Sequence, residues 1–160
     1  MSQVIAPSEN FPYPSLPWFG AKLVLLTHQM VTKAVYKLGA KANPLDTPPA
    51  SIKKIDCSGF ARYAINYCTS QTIPDGSVNQ HKWIKDNKFK ESTVEDAKND
   101  DGYIRIAFLE PDETGHGHVL LIFRGRTYES SSGTQGVGSR IWGSQSFMSK
   151  MKVYVLTDKQ

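Results

Sequence analysis

The first half of the chain has apolar side chains at helical spacing. Between residues 22 and 38 they recur every three or four positions, which predicts an amphipathic helix that ends at Gly39. A second stripe follows within residues 57–68, at Phe60, Ala64, Tyr67 and Cys68, and predicts another helix. A shorter helix is predicted over residues 78–85, after the turn signal of residues 74–76.

Beyond residue 102 the pattern changes to short apolar runs separated by polar, glycine-rich and serine-rich stretches. The predicted strands are residues 103–109, 118–123, 127–130, 140–142 and 152–157, with loops at 110–117 and 131–139. Residues 118–123 are apolar on both faces, which is typical of a central strand. Helices that precede strands predict an α+β fold with an antiparallel sheet.

The length of 160 residues indicates one compact domain over residues 1–160. Residues 1–17 contain four prolines and are predicted to be an irregular lead-in, and residues 43–50 contain three and are predicted to be a loop. The longest apolar runs are far shorter than the ~20 residues that a membrane span needs. We also find no positively charged signal-peptide start, so we expect synthesis in the cytoplasm without a general-export signal.

The net charge of +4 and the pI of about 9.0 favour contact with anionic surfaces, including nucleic acid, anionic lipid and anionic wall polymers. The three tryptophans are scattered rather than interleaved with basic residues, so nucleic acid is not an expected partner. The glycine-rich segment at residues 133–138 has no phosphate-binding lysine.

The two cysteines are eleven residues apart on one predicted helix. Their Cα atoms would then be about 16 Å apart along the helix axis. A disulfide requires less than ~7 Å, so we expect two free thiols.

Cys57 is the candidate nucleophile. Asp56 stands where an N-cap belongs, so Cys57 would lie at a helix N-terminus, which favours the thiolate form of a cysteine. The small residues Ser58 and Gly59 would let a substrate carbonyl approach, and free N–H groups of the first turn would stabilise an oxyanion. The alternative is that Cys57 is an ordinary small buried residue.

The base would be one of four histidines. His28 and His81 lie in polar surroundings and are predicted to be surface residues. His116 and His118 flank Gly117 at the entrance to the apolar strand. We favour His118, because a strand positions a side chain more firmly than a loop does, and keep His116 as a second candidate on the cleft.

A hairpin turning at residues 124–125 predicts the group that orients His118. In that register Ser131 lies opposite His118, and Glu129 lies diagonally from it on the same face, within reach of the ring. A one-residue slip would move both to the other face. Zinc usually takes three or four protein ligands. Besides His116 and His118 the sequence has no second close-spaced pair of ligands, and Cys57 and Cys68 are too far apart to share one ion, so we expect neither a metal nor another cofactor.

These motifs resemble the NlpC/p60 family of papain-like cell-wall cysteine peptidases. Residues 56–60, Asp-Cys-Ser-Gly-Phe, match the family's nucleophile motif, and residues 117–119, Gly-His-Val, match its histidine motif. Glu129 falls at the family's third catalytic position, which is often histidine. The family also has a tyrosine before the cysteine that lines the site, and the proline-rich residues 43–50 do not supply it. The resemblance implies helices, with the nucleophile at a helix N-terminus, packed on an antiparallel sheet.

The resemblance further implies hydrolysis of an amide in the peptidoglycan stem peptide, commonly the γ-D-glutamyl–diaminopimelate bond. A bare catalytic domain without a signal most resembles the type VI secretion amidase effectors, which would act in the periplasm of a target cell and require a cognate immunity protein in the producer. The alternatives are a phage-type lysin, a papain-like transferase or deamidase acting on protein, and a binding module that has lost its chemistry.

Overall fold

The computed structural model describes residues 18–157, so the predicted lead-in at residues 1–17 lies outside the described residues. Three helices precede most of the strands: α1 (Phe19–Met30), α2 (Cys57–Thr69) and α3 (Ser77–Asp86). Two short strands, β1 (Val35–Tyr36) and β2 (Lys54–Ile55), form a small parallel pair directly before α2. None of the described helices is long and apolar enough to span a bilayer.

The main sheet has six strands in the order β3-β8-β4-β5-β6-β7, and every neighbouring pair is antiparallel. The strands are β3 (Glu91–Ser92), β4 (Ile104–Leu109), β5 (His118–Phe123), β6 (Arg126–Ser131), β7 (Gly136–Gly138) and β8 (Lys152–Thr157). The predicted α+β architecture is therefore confirmed, and β5 is central as its apolar faces indicated.

The predicted helix over residues 22–38 is wrong at both ends. Helix α1 begins at Phe19 and ends at Met30, because Val31 leaves the helical conformation (ψ 136°) and Thr32 has a positive φ of 66°. The following residues pair with β2 instead, and this long-range pairing prevails over the helical stripe. Leu38, the last position of that stripe, is 67% exposed.

Two predictions near the end of the sheet are also wrong. Residues 140–142 form no strand, since Ile141 makes only an isolated bridge to Arg126. The edge position next to β6 belongs to β7, within the segment predicted to be a loop. Position 136 of this edge strand requires glycine, because a Cβ there would lie only 2.1 Å from the carbonyl oxygen of Ala34.

Apolar side chains cover both faces of the sheet. The larger core packs α1 and α2 against β5 and β6 and includes Val119, Leu121 and Phe123. The intervening residues Leu120 and Ile122 face a smaller core around the 3₁₀ helix Ser146–Lys150. This alternation holds β5 rigid from both sides, so a side chain at its first residue is firmly placed.

His81 is buried rather than on the surface as predicted. Its ring stacks on Phe108 with centroids 4.6 Å apart, and its Nε2 lies 2.8 Å from the Tyr154 hydroxyl. Its polar neighbour Gln80 is also fully buried and donates to the carbonyls of Ser58 and Pro74. Helix α3 thus buries two polar side chains: the His81 ring and the Gln80 NH₂ group have partners, whereas the Gln80 Oε1 has none among the described residues. The other predicted surface histidine, His28, is exposed.

Candidate active site

Helix α2 begins at Cys57 because Asp56 caps it. The Asp56 carboxylate accepts the Gly59 N–H at 2.7 Å while its own backbone is extended, which is N-cap geometry. The hydroxyl of Ser130 in β6 donates to the carbonyl of Ile55 at 2.7 Å and ties the start of the helix to the sheet. Cys57, the candidate nucleophile, is therefore held at the start of a helix that is anchored by its cap and by the sheet.

Lys41 neutralises the capping carboxylate. Its ammonium lies 2.7 and 2.8 Å from the two Asp56 oxygens and donates to the Ser58 hydroxyl at 2.7 Å. The same carboxylate accepts the Gly39 N–H at 2.9 Å. These contacts fix the segment before β2 against the head of α2, so the helix start and the cleft wall form one unit.

Gly59 does not line the cleft. It is buried, its N–H is used by Asp56, and a Cβ there would lie 2.8 Å from the Asp56 carboxylate and 3.0 Å from the carbonyl of Ala40. Among the described residues, no hydrogen bond uses the N–H groups of Cys57 and Ser58. These two amides, rather than that of Gly59, are therefore available to stabilise an oxyanion.

His118 is the first residue of β5, and its Nε2 lies 2.9 Å from Glu129 Oε1. The hairpin has the predicted register over three pairs: Leu121 with Tyr128, Ile122 with Thr127, and Phe123 with Arg126. That register brings Glu129 to the His118 ring. Since Nε2 is turned to Glu129, the other ring nitrogen, Nδ1, is left for Cys57.

Three groups hold the Glu129 carboxylate, which is fully buried. Arg140 donates through Nε at 3.1 Å and through one terminal nitrogen at 2.9 Å, and the Thr127 hydroxyl donates as well. Burial raises the pKa of Glu129, but the hydrogen bonds from His118, Arg140 and Thr127 outweigh burial and hold it below its usual value. Glu129 is therefore an anion that orients His118.

The electrostatics of His118 favour the imidazolium form. Burial lowers the pKa of this ring, but interactions with Cys57 and then Glu129 outweigh burial and raise it from 6.5 to about 9. Phe147 covers the ring edge-on, with centroids 5.9 Å apart. An imidazolium held against a thiol at a helix N-terminus is the arrangement that activates a cysteine nucleophile.

A cleft of about 630 Å³ opens above these groups. Its lining contains five of the seven predicted site residues: Cys57, Ser58, His116, His118 and Ser131. The other two predicted site residues do not line the cleft: Glu129 is buried beneath the His118 ring, and Gly59 is buried in the first turn of α2. His116 is exposed on the rim, in the loop before β5, and Ser131 bonds to Thr134 at the end of β6.

Three residues of the site do not figure in the sequence prediction: Tyr36, Lys41 and Arg140. Tyr36 lines the cleft and stands beside Ile55 in the parallel pair. Burial, then the proximity of Cys57 and Asp56, raise the pKa of Tyr36, so its hydroxyl stays protonated and can donate to a ligand. Tyr36 falls inside the helix predicted over residues 22–38. A helix end predicted at the β-branched residues 31–32 would have placed Tyr36 outside that helix.

The second cysteine lies apart from this chemistry. Cys68 is buried near the end of α2 and free, and burial raises the pKa of its thiol to about 12. Within residues 18–157 no group of three or more histidine, cysteine or acidic side chains is placed to hold a metal ion.

Comparison with solved structures finds the same fold in a P60 domain and in an NlpC protein. The P60 domain of an antigen from M. avium subspecies paratuberculosis superposes with a TM-score of 0.54 at 19% identity, over 88% of this chain and 98% of that chain. NlpC2 from Trichomonas vaginalis superposes with a TM-score of 0.56 at 16% identity, over 86% of this chain and 46% of that chain. No protein-family model and no curated protein matches the sequence.

The chain therefore has the NlpC/p60 fold, an α+β arrangement in which helices pack on an antiparallel sheet. At these identities the likeness establishes the fold. What the fold does in this chain has to be argued from its own residues.

Proposed function

We propose that this protein is a cysteine hydrolase of the NlpC/p60 family that cleaves an amide of the peptidoglycan stem peptide, commonly the γ-D-glutamyl–diaminopimelate bond. One observation carries the proposal: Cys57 at a helix N-terminus and the His118–Glu129 pair meet in one cleft. The fold is shared with a P60 domain and an NlpC protein, which supports the choice of substrate class.

The arrangement supports acyl transfer in two halves. The Cys57 thiolate attacks the amide carbonyl, and the N–H groups of Cys57 and Ser58 receive the developing oxyanion. Protonated His118 donates its proton to the leaving nitrogen as the C–N bond breaks, which leaves an acyl-enzyme and a free amine. Neutral His118 then takes a proton from water as the water oxygen attacks the thioester, and cleavage of the C–S bond releases the acyl group as a carboxylic acid and regenerates the Cys57 thiolate. Glu129 keeps the ring oriented in both halves.

The biological role that fits best is an antibacterial type VI secretion effector, made in the cytoplasm and exported by that system to act in the periplasm of a target cell. The support is the resemblance of residues 102–107 and 117–119 to those effectors. In this role a cognate immunity protein would block the cleft in the producing cell. A phage-type lysin would use the same chemistry.

Digestion of purified sacculi tests the proposal. The unmutated protein, Cys57→Ala and Cys68→Ala are incubated with sacculi, and released muropeptides are identified by mass spectrometry. We expect the unmutated protein and Cys68→Ala to release the same fragments and Cys57→Ala to release none. Absence of fragments from the unmutated protein would contradict the substrate class and favour a transferase or deamidase acting on protein. Fragments from Cys57→Ala would contradict the mechanism.

A further inference from the structure

A second cavity continues the cleft on the far side of His118. It has a volume of about 310 Å³ and shares His118, Ser131 and Ser132 with the wall of the Cys57 cleft. Its remaining wall includes Arg140 and Phe147. The two cavities therefore form one groove that passes the nucleophile and then the histidine.

The order of these groups assigns a direction to the substrate. The leaving nitrogen takes its proton from His118, so it must lie against that ring when the C–N bond breaks. The residue that carries this nitrogen is therefore on the His118 side of Cys57, and the second cavity is the space available to it. The acyl residue occupies the opposite part of the cleft, beside Tyr36 and Lys41.

Two cationic side chains, Arg140 and the His118 imidazolium, lie in the wall of this cavity, and none of the described residues that line it is acidic. The Arg140 Nε and one terminal nitrogen, Nη2, are bound to Glu129. The other terminal nitrogen, Nη1, donates to no residue of the described chain, and it lies where Gly133 lacks a side chain: a Cβ there would be 2.6 Å from it. The Arg140 side chain is 17% exposed and lines the cavity, and its Nη2 also lies 3.5 Å from Ser131 Oγ, so the edge that Nη1 forms is the one left for a ligand.

We infer that this cavity is the subsite for the residue that carries the leaving amine, and that Arg140 binds a carboxylate of that residue. A guanidinium with a free edge is suited to a carboxylate, and partial burial makes such a bond stronger than one in open water. Phe147 supplies an apolar wall: the Arg140 guanidinium lies over its ring, 5.3 Å from the centroid, and this contact fixes the guanidinium plane. The inference rests on the proposed function, in which the leaving residue is diaminopimelate, whose side chain ends in a free carboxylate.

Two stem tetrapeptides test the inference, one with diaminopimelate and one with lysine at the third position. The two differ by that single side-chain carboxylate. Hydrolysis of both is measured for the unmutated protein, Arg140→Gln, Arg140→Lys and the exposed control Arg124→Gln. Binding of both is measured by calorimetry in Cys57→Ala and in Cys57→Ala combined with Arg140→Gln. We expect the unmutated protein and Arg124→Gln to prefer the diaminopimelate peptide by about tenfold or more in kcat/KM and in affinity.

The preference, rather than the rate, is the deciding readout. Arg140→Gln weakens the hold on Glu129 and slows both reactions, but only loss of the carboxylate contact brings the ratio of the two peptides close to one. We expect Arg140→Lys to keep part of the preference, because it retains the charge. It also serves as a second variant if Arg140→Gln fails to fold by circular dichroism.

The outcomes separate this inference from the proposed function. A ratio near one in the unmutated protein, or an unchanged ratio in Arg140→Gln, would overturn the inference while leaving hydrolysis established. A binding preference that depends on Arg140, without hydrolysis of either peptide, would support the subsite and overturn the proposed reaction. Failure to bind or cleave either peptide would overturn both.

Discussion

Replacing Glu129 by glutamine removes a charge and leaves the shape of the site almost intact. The Glu129 carboxylate accepts hydrogen bonds from His118, Arg140 and Thr127. In glutamine one of the two carboxylate oxygens is replaced by an NH₂ group, which cannot accept a hydrogen bond. Glu129→Gln therefore leaves at least one of these donors without its partner and weakens the preference of His118 for the charged form.

The size of the effect follows from the pKa of His118. The rise from 6.5 to about 9 is worth about 3 kcal/mol in favour of the imidazolium, shared between Cys57 and Glu129. A hydrogen bond to a charged group is worth about 1.5–3 kcal/mol. If the His118–Glu129 hydrogen bond acts at full strength in the transition state, we expect kcat of Glu129→Gln to be about 10- to 100-fold lower than that of the unmutated protein.

The pH dependence gives the sharper assay. In the proposed reaction His118 must be protonated to release the amine, so kcat/KM of the unmutated protein should fall as pH rises through about 9. In Glu129→Gln this alkaline limb should move toward lower pH, since one of the two interactions that raise the pKa is gone. Glu95→Gln is the matched control, because Glu95 is exposed and pairs only with Lys98 among the described residues. If kcat falls by the expected factor but the alkaline limb does not move, Glu129 does not act through the pKa of His118 and its role is purely structural.

Three further outcomes are expected. In the folded protein iodoacetamide should modify Cys57 and spare Cys68, whose buried thiol has a pKa of about 12, and a Cys68 adduct seen by mass spectrometry would contradict this. Asp56→Ala should lower the free energy of unfolding in urea by about 2–3 kcal/mol, because it removes the helix cap and the partner of Lys41, and a loss of under about 1 kcal/mol would argue against that. Lys41→Met should slow alkylation of Cys57 several-fold, because the Asp56 carboxylate would then oppose the thiolate, and an unchanged rate would show that the pairing is irrelevant to reactivity.

The parts of the site that depend on local signals could be predicted from the sequence. Asp56 caps α2 because its side chain bonds an amide three residues ahead, an interaction confined to one turn. The hairpin register likewise depends on two turn residues, so the sequence alone is enough to place Glu129 on the same face as His118. Such interactions span few residues and leave a short pattern in the sequence.

The parts that depend on distant pairing could not be predicted. Tyr36 and Lys41 reach the cleft because residues 35–36 pair with 54–55, and no local pattern shows this while the helical stripe of residues 22–38 suggests otherwise. Arg140 reaches Glu129 from a segment predicted to be a strand. His81 lies in a polar stretch, and its burial depends on Phe108 and Tyr154, far away in the sequence. In each case a tertiary partner decides the environment of the side chain.

Each of the two carboxylates near Cys57 and His118 is paired with a cation. Two buried carboxylates flank the reacting pair, Asp56 at the helix head and Glu129 behind the histidine, and unpaired they would act in opposite directions. Asp56 would oppose a thiolate beside it, whereas Glu129 stabilises the imidazolium. Lys41 contacts both oxygens of Asp56 and offsets its charge at the helix head. Arg140 donates to both oxygens of Glu129 and shares Oε1 with His118. Lys41 therefore offsets the negative charge beside Cys57, and Arg140 helps to keep Glu129 ionised next to His118.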